Sequence, residues 1–302
     1  MPGAALATGP HIFDRTLIGA RRRRAAALGP VTFLLDRVAD EFADRLGVVT
    51  RRFDLAADLG TPGDAVAKAL SRLPSIGAVI RSGFAADAPR PAVAADEEAL
   101  PFRDGALDLA VSGLALQFVN DLPGVLVQIR RALKPDGLFL AALLGGETLT
   151  ELRQSFAAAE SELEGGASPR VAPFADLREL GALLQRAGFA LPVTDVDRIT
   201  VRYGAAFDLM RDLRRMGAAN ALVARRRTPL RRATLLRMAE IYADRFADPD
   251  GRLRATFEIV WLSGWAPHPD QQKPLQPGSA KTRLADALGT REITAGEKPD
   301  AG

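Results

Sequence analysis

Three short segments carry residues whose types and spacing could do chemistry. The first is Asp58-Leu59-Gly60-Thr61-Pro62-Gly63-Asp64, between an apolar run and a helical stretch. A glycine-bearing turn there lets backbone approach a ligand closely, and the helix that follows offers unpaired N–H groups to a carboxylate or phosphate. Pro62 removes one of those donors, and a turn of this kind also serves purely structural ends. The second segment is Ala95-Asp96-Glu97-Glu98-Ala99-Leu100-Pro101-Phe102. Its carboxylates can accept hydrogen bonds from an amino group such as that of adenine, with Leu100 and Phe102 walling the ring; a solvated acidic loop is the plainer alternative. The third, Leu107-Asp108-Leu109-Ala110-Val111-Ser112-Gly113-Leu114-Ala115-Leu116-Gln117, reads as a buried strand opening into a polar-tipped loop, with Asn120 or Asp121 capping the next helix. In a doubly wound sheet the crevice lies outside the carboxyl ends of the central strands, so Ser112 and Gln117 are expected to face the same pocket as the first two motifs.

The pattern around these segments supplies such a sheet. From Phe53 onward short apolar runs alternate with helical stretches, which predicts parallel strands with helices on both faces. Strands are expected over Phe53 to Leu59, Ile76 to Ile80, Pro91 to Ala95, Ala106 to Ser112, Gly137 to Leu144, Thr194 to Tyr203 and Thr256 to Gly264. Helices are expected near Asp64 to Leu73, Asp121 to Leu133, Thr148 to Leu163 and Phe174 to Ala187, with a turn at Lys134-Pro135-Asp136-Gly137 and Gly188 as a C-terminal cap. Phe33 to Leu46 has helical apolar spacing and should lie over the site or the sheet edge. A long helical section, Phe207 to Phe246, precedes the last strand and is the expected acceptor-facing insertion or lid. The chain thus divides into a basic N-terminal segment with a helix (1–50), a core (51–204), the insertion (205–250), the last strand with its tail motif (251–280), and a polar tail (281–302) expected to be disordered.

Composition narrows the chemistry. With 302 residues, 47% of them hydrophobic, the chain can bury a full core. It has no cysteine, which excludes disulfides, thiolate-bound metals and a cysteine nucleophile, and its two histidines, His11 and His268, lie at opposite ends. No metal site is therefore expected, and a Ser-His-Asp triad is disfavoured. The net charge is +3, with arginines clustered at 21–24, 225–227 and 231–232. Such clusters can dock an acidic ligand or partner, but most are expected to be solvated helix faces. No aromatic residues interleave with them, which argues against nucleic-acid binding. There is no signal-peptide pattern, and the apolar stretch Leu138 to Leu144 is too short to cross a bilayer. A cytoplasmic location is expected, with peripheral membrane association left open. Trp261 and Trp265 read as core and surface anchors, and Met210 and Met216 as packing.

The ordered series of Gly-turn, acidic loop before Leu-Pro-Phe, apolar strand ending in Ser-Gly-Leu-Ala-Leu-Gln, and Leu-Lys-Pro-Asp-Gly resembles the class I S-adenosylmethionine-dependent methyltransferases over roughly Arg51 to Ala190. The resemblance implies an α/β fold, a seven-stranded Rossmann-like sheet with helices on both faces and a helical insertion before the last strand, and S-adenosylmethionine as cofactor. It implies that Asp58, Gly60, Thr61 and Gly63 shape the methionine-binding turn, that Asp96, Glu97 and Leu100 lie beside the adenine, and that Ser112, Gly113, Leu116 and Gln117 border the transferred group. Two features depart from the family. The Gly-x-Gly-x-Gly pattern is not kept, and the acid expected to grip the ribose hydroxyls after the second strand is absent, since Ile80 is followed by Arg81-Ser82-Gly83.

A narrower resemblance spans nearly the whole chain. Phe13-Asp14-Arg15 with Arg21 to Arg24, Gly145 to Arg153, Met210 to Asn220 and Gly264 to Pro274 are similar to bacterial relatives of the mitochondrial complex I assembly factor that hydroxylates an arginine. This likeness makes His268 a weak site candidate and implies a protein client such as a complex I subunit. The central region is also similar to the malonyl-acyl-carrier-protein O-methyltransferase of biotin synthesis, which would make an acyl-carrier protein the partner. Methyl transfer asks a protein mainly for alignment and desolvation, which suits a chain poor in histidine. A malonyl carboxylate is already nucleophilic, and Arg153 or the arginines near Arg225 could neutralise the acyl group. The departures in the turn also admit a non-enzymatic assembly chaperone.

Overall fold

The computed structural model describes residues 11–83, 92–271, 286 and 289–290. Residues up to Pro267 form one unit and those from His268 a second, in which the His268 ring accepts from the Asp270 amide at 3.2 Å. The polar tail and most of the stretch after Gln271 lie outside the described residues.

Seven strands make one sheet: β1 (Phe53–Leu59), β2 (Ile76–Gly83), β3 (Ala92–Ala94), β4 (Leu107–Gly113), β5 (Leu133–Leu144), β6 (Ala190–Tyr203) and β7 (Leu253–Trp265), in the order β3-β2-β1-β4-β5-β7-β6. β1 pairs in parallel with both β2 and β4, and β5 with β4, whereas β7 runs antiparallel to β5 and β6. The order reverses direction between β1 and β4, so their carboxyl ends open the crevice where such sheets bind ligands.

Alternation of side chains along the strands builds two cores. Leu109, Val111, Ile259 and Trp261 face one layer, formed with α2 (Phe33–Gly47), α3 (Ala65–Leu70), α5 (Thr150–Glu164), α7 (Ala206–Arg215) and α8 (Arg232–Phe246). Ala110, Val260 and Leu262 face the other, formed with α4 (Leu122–Ala132) and α6 (Leu177–Arg186). The period of two and the doubly covered sheet are consistent with each other.

Four expectations needed revision. A helix absent from the sequence reading, α1 (Arg15–Ala27), precedes α2; it carries four consecutive arginines and buries only Ile18, Gly19 and Ala25, so no apolar stripe announces it. The Lys134–Gly137 turn is an irregularity inside β5, because Leu107 pairs with Leu133 and Leu109 with Leu138, and Asp136 takes φ +66° to fit the extra residues. The long helical section is α7 and α8 with an irregular stretch, residues 216–231, between them. Strands β2, β6 and β7 run longer than expected at their ends, because ladder pairing extends past the apolar residues that mark each strand.

Trp261 is 1% exposed and meets Phe42 edge-to-face with ring centroids 5.8 Å apart, fixing α2 on the sheet. Trp261→Ala should therefore cost about 3–5 kcal/mol, read as a lower urea midpoint at unchanged slope; a loss under about 1 kcal/mol would show that α2 is held elsewhere.

Candidate functional site

The site lies at the carboxyl ends of β1 and β4. Asp58, the penultimate residue of β1, is 1% exposed. Neither of its carboxylate oxygens makes a hydrogen bond, and the nearest Arg81 nitrogen stands 3.7 Å away. Burial pushes this carboxyl up to about 7, against the opposing pull of the Thr61 hydroxyl and the Arg81 guanidinium.

The turn that follows needs its glycines. Gly60 and Gly63 have φ +73° and +72°, a region closed to most side chains. A side chain on Gly60 would also run into the Glu97 carboxylate. The Gly60 amide donates to the Ser82 carbonyl at 2.5 Å, and the Gly113 amide donates to Thr61 Oγ1 at 2.8 Å. Ser112 donates its hydroxyl to the Leu59 carbonyl at 2.7 Å, so it ties β4 to β1 instead of presenting a free group to a pocket. These bonds bring the turn, the acidic loop and the end of β4 together.

Arginines that the sequence reading left unassigned complete the site. Glu97 is 1% exposed and is shared by Arg15 and by Arg22, the latter at 3.0 Å. Arg15 also holds Asp96 at 2.6 Å and donates to the Phe118 carbonyl at 3.1 Å; Arg22 donates to the Gly60 carbonyl at 3.2 Å. Burial lowers the Arg22 pKa, with Glu97 opposing; for Arg15 burial is outweighed by Glu97 and Asp96, which leave it above the ordinary value. Arg81 reaches over the turn to the carbonyls of Gly63 and, at 3.5 Å, Thr61. Both departures from the family pattern therefore meet in one contact, the Arg81 guanidinium on the turn that contains Pro62.

α1 is aimed at the site by its entry segment. Phe13 bridges Leu222, Asn120 accepts from the Ile12 and Phe13 amides at 2.9 and 2.8 Å, and Asp14 caps the helix through the Leu17 amide at 3.0 Å. Asn120, expected as a cap for α4, anchors the N-terminal segment, and Asp121 caps α4. Gln128 braces the acidic loop, accepting from the Leu100 amide at 3.0 Å and donating to the Glu98 carbonyl at 2.9 Å. Leu100 packs on the second core, in which Leu116 is 1% exposed. The one sequence signal for Arg15 and Arg22 was their i, i+7 spacing, which puts both on one helix face.

Beside the turn lies a cavity of about 260 Å³, lined among others by Arg22, Pro62, Leu114, Gln117, Phe156 and Met210. Leu114 takes φ +50° and accepts from Gln117 Nε2 at 2.9 Å, while Gln117 Oε1 is buried without a partner. Among the described residues no group of three or more His, Cys, Asp or Glu is arranged to hold a metal, and no helix is long and apolar enough to cross a membrane.

Comparison with known proteins bears on this geometry. A family model described as a methyltransferase domain matches residues 58–141, from the end of β1 into β5. The arginine-hydroxylase NDUFAF5 of zebrafish mitochondria is 39% identical over 289 residues, covering 92% of this chain and 90% of that protein. The human protein of the same name is 41% identical over 288 residues, 91% and 83% of the two chains. The chain belongs to the NDUFAF5 family. The match takes in most of the chain, well beyond the methyltransferase domain. A malonyl-acyl-carrier-protein O-methyltransferase of Laribacter hongkongensis is 41% identical, but over 186 residues, 62% of this chain and 60% of that one. Among solved structures, YcgJ of Bacillus subtilis superposes with TM-score 0.52 at 14% identity, covering 76% of this chain and 98% of its own. The [4+2]-cyclase SpnF gives 0.50 at 16% identity over 84% and 94%. The methyltransferase fold is common to all of these, and the cyclase shows that the fold alone does not name a reaction.

S-adenosylmethionine is the group that fold implies, and the residues of this NDUFAF5-family chain suit it. Asp58 has two buried oxygens without a hydrogen-bond partner, placed to accept from an ammonium. Asp96 is 37% exposed at its side chain, four residues before Leu100 in the same loop.

A carboxyl with a higher pKa folded than unfolded ionises first in the unfolded chain, so stability falls as pH rises from its ordinary value of 3.8 toward about 7. Asp58→Asn should remove that loss. Its unfolding free energy should gain on wild type between acid and pH 8 by up to about 4 kcal/mol, seen as a growing gap in melting temperature. Scanning calorimetry near pH 4 and pH 8 checks this, and a gap that does not change with pH would put Asp58 at its ordinary pKa.

Proposed function

We propose that the chain binds S-adenosylmethionine at the ends of β1 and β4 and modifies an arginine side chain, as the name of its relatives states for them, on a protein client such as a complex I subunit. The observation that carries this reading is identity near 40% along about nine-tenths of both chains, far beyond the residues 58–141 that the methyltransferase domain matches. The site's chemistry supports it. The Arg22 guanidinium sits at the cavity wall on Glu97 and the Gly60 carbonyl, so a carboxylate with a carbonyl already forms a seat for a guanidinium there.

In this reading Asp58, Gly60, Thr61 and Gly63 receive the amino-acid end of the cofactor, while Asp96 and Leu100 receive its base. When bound, the cofactor supplies an electrophilic methyl sulfonium. Gln117 and Leu114 border the acceptor, and the apolar cavity wall excludes water from it. Hydroxylation of an arginine C–H bond requires an oxidant from outside the chain, whose residues hold and orient the guanidinium. Malonyl esterification is favoured by the relatives of that name, yet the cations it would use are engaged. Arg153 donates to the carbonyls of Gly146 and Thr148 at 3.1 and 3.2 Å, Arg170 is held by the buried Glu160 at 2.8 Å, and Arg225 by Asp14 at 3.3 Å.

Deleting the gene in its own host should abolish complex I activity and leave growth without biotin normal. Mass spectrometry should then find one oxygen missing from a client arginine in the deletion strain. A biotin requirement with intact complex I contradicts the proposal and favours the malonyl reading.

A further inference from the structure

Doubly wound sheets that bind ribosides place an acid at the end of the second strand, where it accepts hydrogen bonds from the ribose hydroxyls. Here β2 ends on Gly83, which has no side chain to offer, and Arg81, two residues before it on the same face of the strand, pairs with Asp58 in the β1–β2 register. Its side chain is 15% exposed, with Nη2 on the carbonyls of Gly63 and Thr61. Its Nε is buried without a hydrogen-bond partner, as are both oxygens of Asp58, at 3.7 Å. A buried donor and a buried acceptor thus face each other too far apart to bond, an arrangement a stably folded protein rarely keeps unless something else is to be held there.

The contact has two chemical consequences. A guanidinium carries five donors and no acceptor, so Arg81 cannot receive the two hydroxyl protons of a ribose as a carboxylate does. Its positive charge also lies beside Asp58, the group left to receive a ligand ammonium, and like charges compete for that seat. The turn is shaped to match, since its carbonyls are turned to Arg81 and Pro62 contributes no donor.

We propose that Arg81 is a specificity-determining residue of the adenosyl site: it removes recognition of the ribose hydroxyls and competes for Asp58, so the cofactor is held by its amino-acid and base ends alone. The inference rests on the adenosyl reading of the site. It predicts weak cofactor binding, assigns that weakness to one side chain on β2, and predicts that replacing this side chain reverses it.

The test is calorimetric titration of the full-length protein with S-adenosylhomocysteine and with its 2′-deoxy analogue. Wild type should bind both weakly and nearly equally. Arg81→Asp should bind S-adenosylhomocysteine at least about tenfold more tightly and should reject the 2′-deoxy analogue by a similar factor, the value of roughly one charge-assisted hydrogen bond. Arg81→Ser, which does not set a second carboxylate beside Asp58, covers the case in which Arg81→Asp fails to fold; it should bind more tightly than wild type, with a smaller gain. If wild type binds as tightly as both variants, or already discriminates against the 2′-deoxy analogue, the role of Arg81 is overturned and the adenosyl reading stands. If wild type and a folded variant give no heat with either ligand at millimolar concentration, the adenosyl reading itself fails and the inference falls with it.

Discussion

The site depends on the cost of burying one carboxylate. Glu97 lies against Gly60, almost wholly out of water, where an unpaired charge would be expensive. Arg15 and Arg22 neutralise it, and both come from α1, a helix with little apolar surface of its own to bury. One ion cluster therefore positions three things together: the N-terminal helix, the acidic loop after β3 and the glycine turn after β1. The sheet brings the turn and the loop to the same edge, and the arginines decide what closes over them.

This arrangement changes what the cofactor motif means. The three acids singled out in the sequence, Asp58, Asp96 and Glu97, each stand near a guanidinium of the same chain: Arg81 near the first, Arg15 on the second, and Arg15 and Arg22 on the third. A ligand entering here exchanges partners with arginines already in place; it does not fill an empty polar cleft. In the function proposed above the same seats receive a client arginine, which is how the local electrostatics would connect with the identity shared with NDUFAF5 along most of the chain.

The strands were legible because each carries a short apolar run, and β1 runs from Phe53 to Leu59 as its residues suggest. The three motifs were legible as one site because strand order, once the fold is known, sends them to one edge. α1 was not legible, since Arg21 to Arg24 read as a solvated face, and Arg22 turns inward only because Glu97, 75 residues later, needs a cation. Ser112 looked like a pocket residue by its position at a strand end, yet its hydroxyl is bonded to β1, a pairing that no local pattern reveals. The irregularity at residues 134–137 has the composition of a turn and is absorbed into β5 by register alone. In each of these cases a partner distant in sequence outweighed the local signal.

Hydrogen exchange of the Glu97→Gln protein, resolved by segment, tests the central role of this carboxylate most directly. Gln keeps the shape of Glu and removes its charge, so two arginines lose their common anion. The account predicts faster exchange through residues 15–27 and across the turn at 60–63, with the amides of β4, β5 and β7 protected as in wild type. Wild-type protection of α1 in that variant would contradict it.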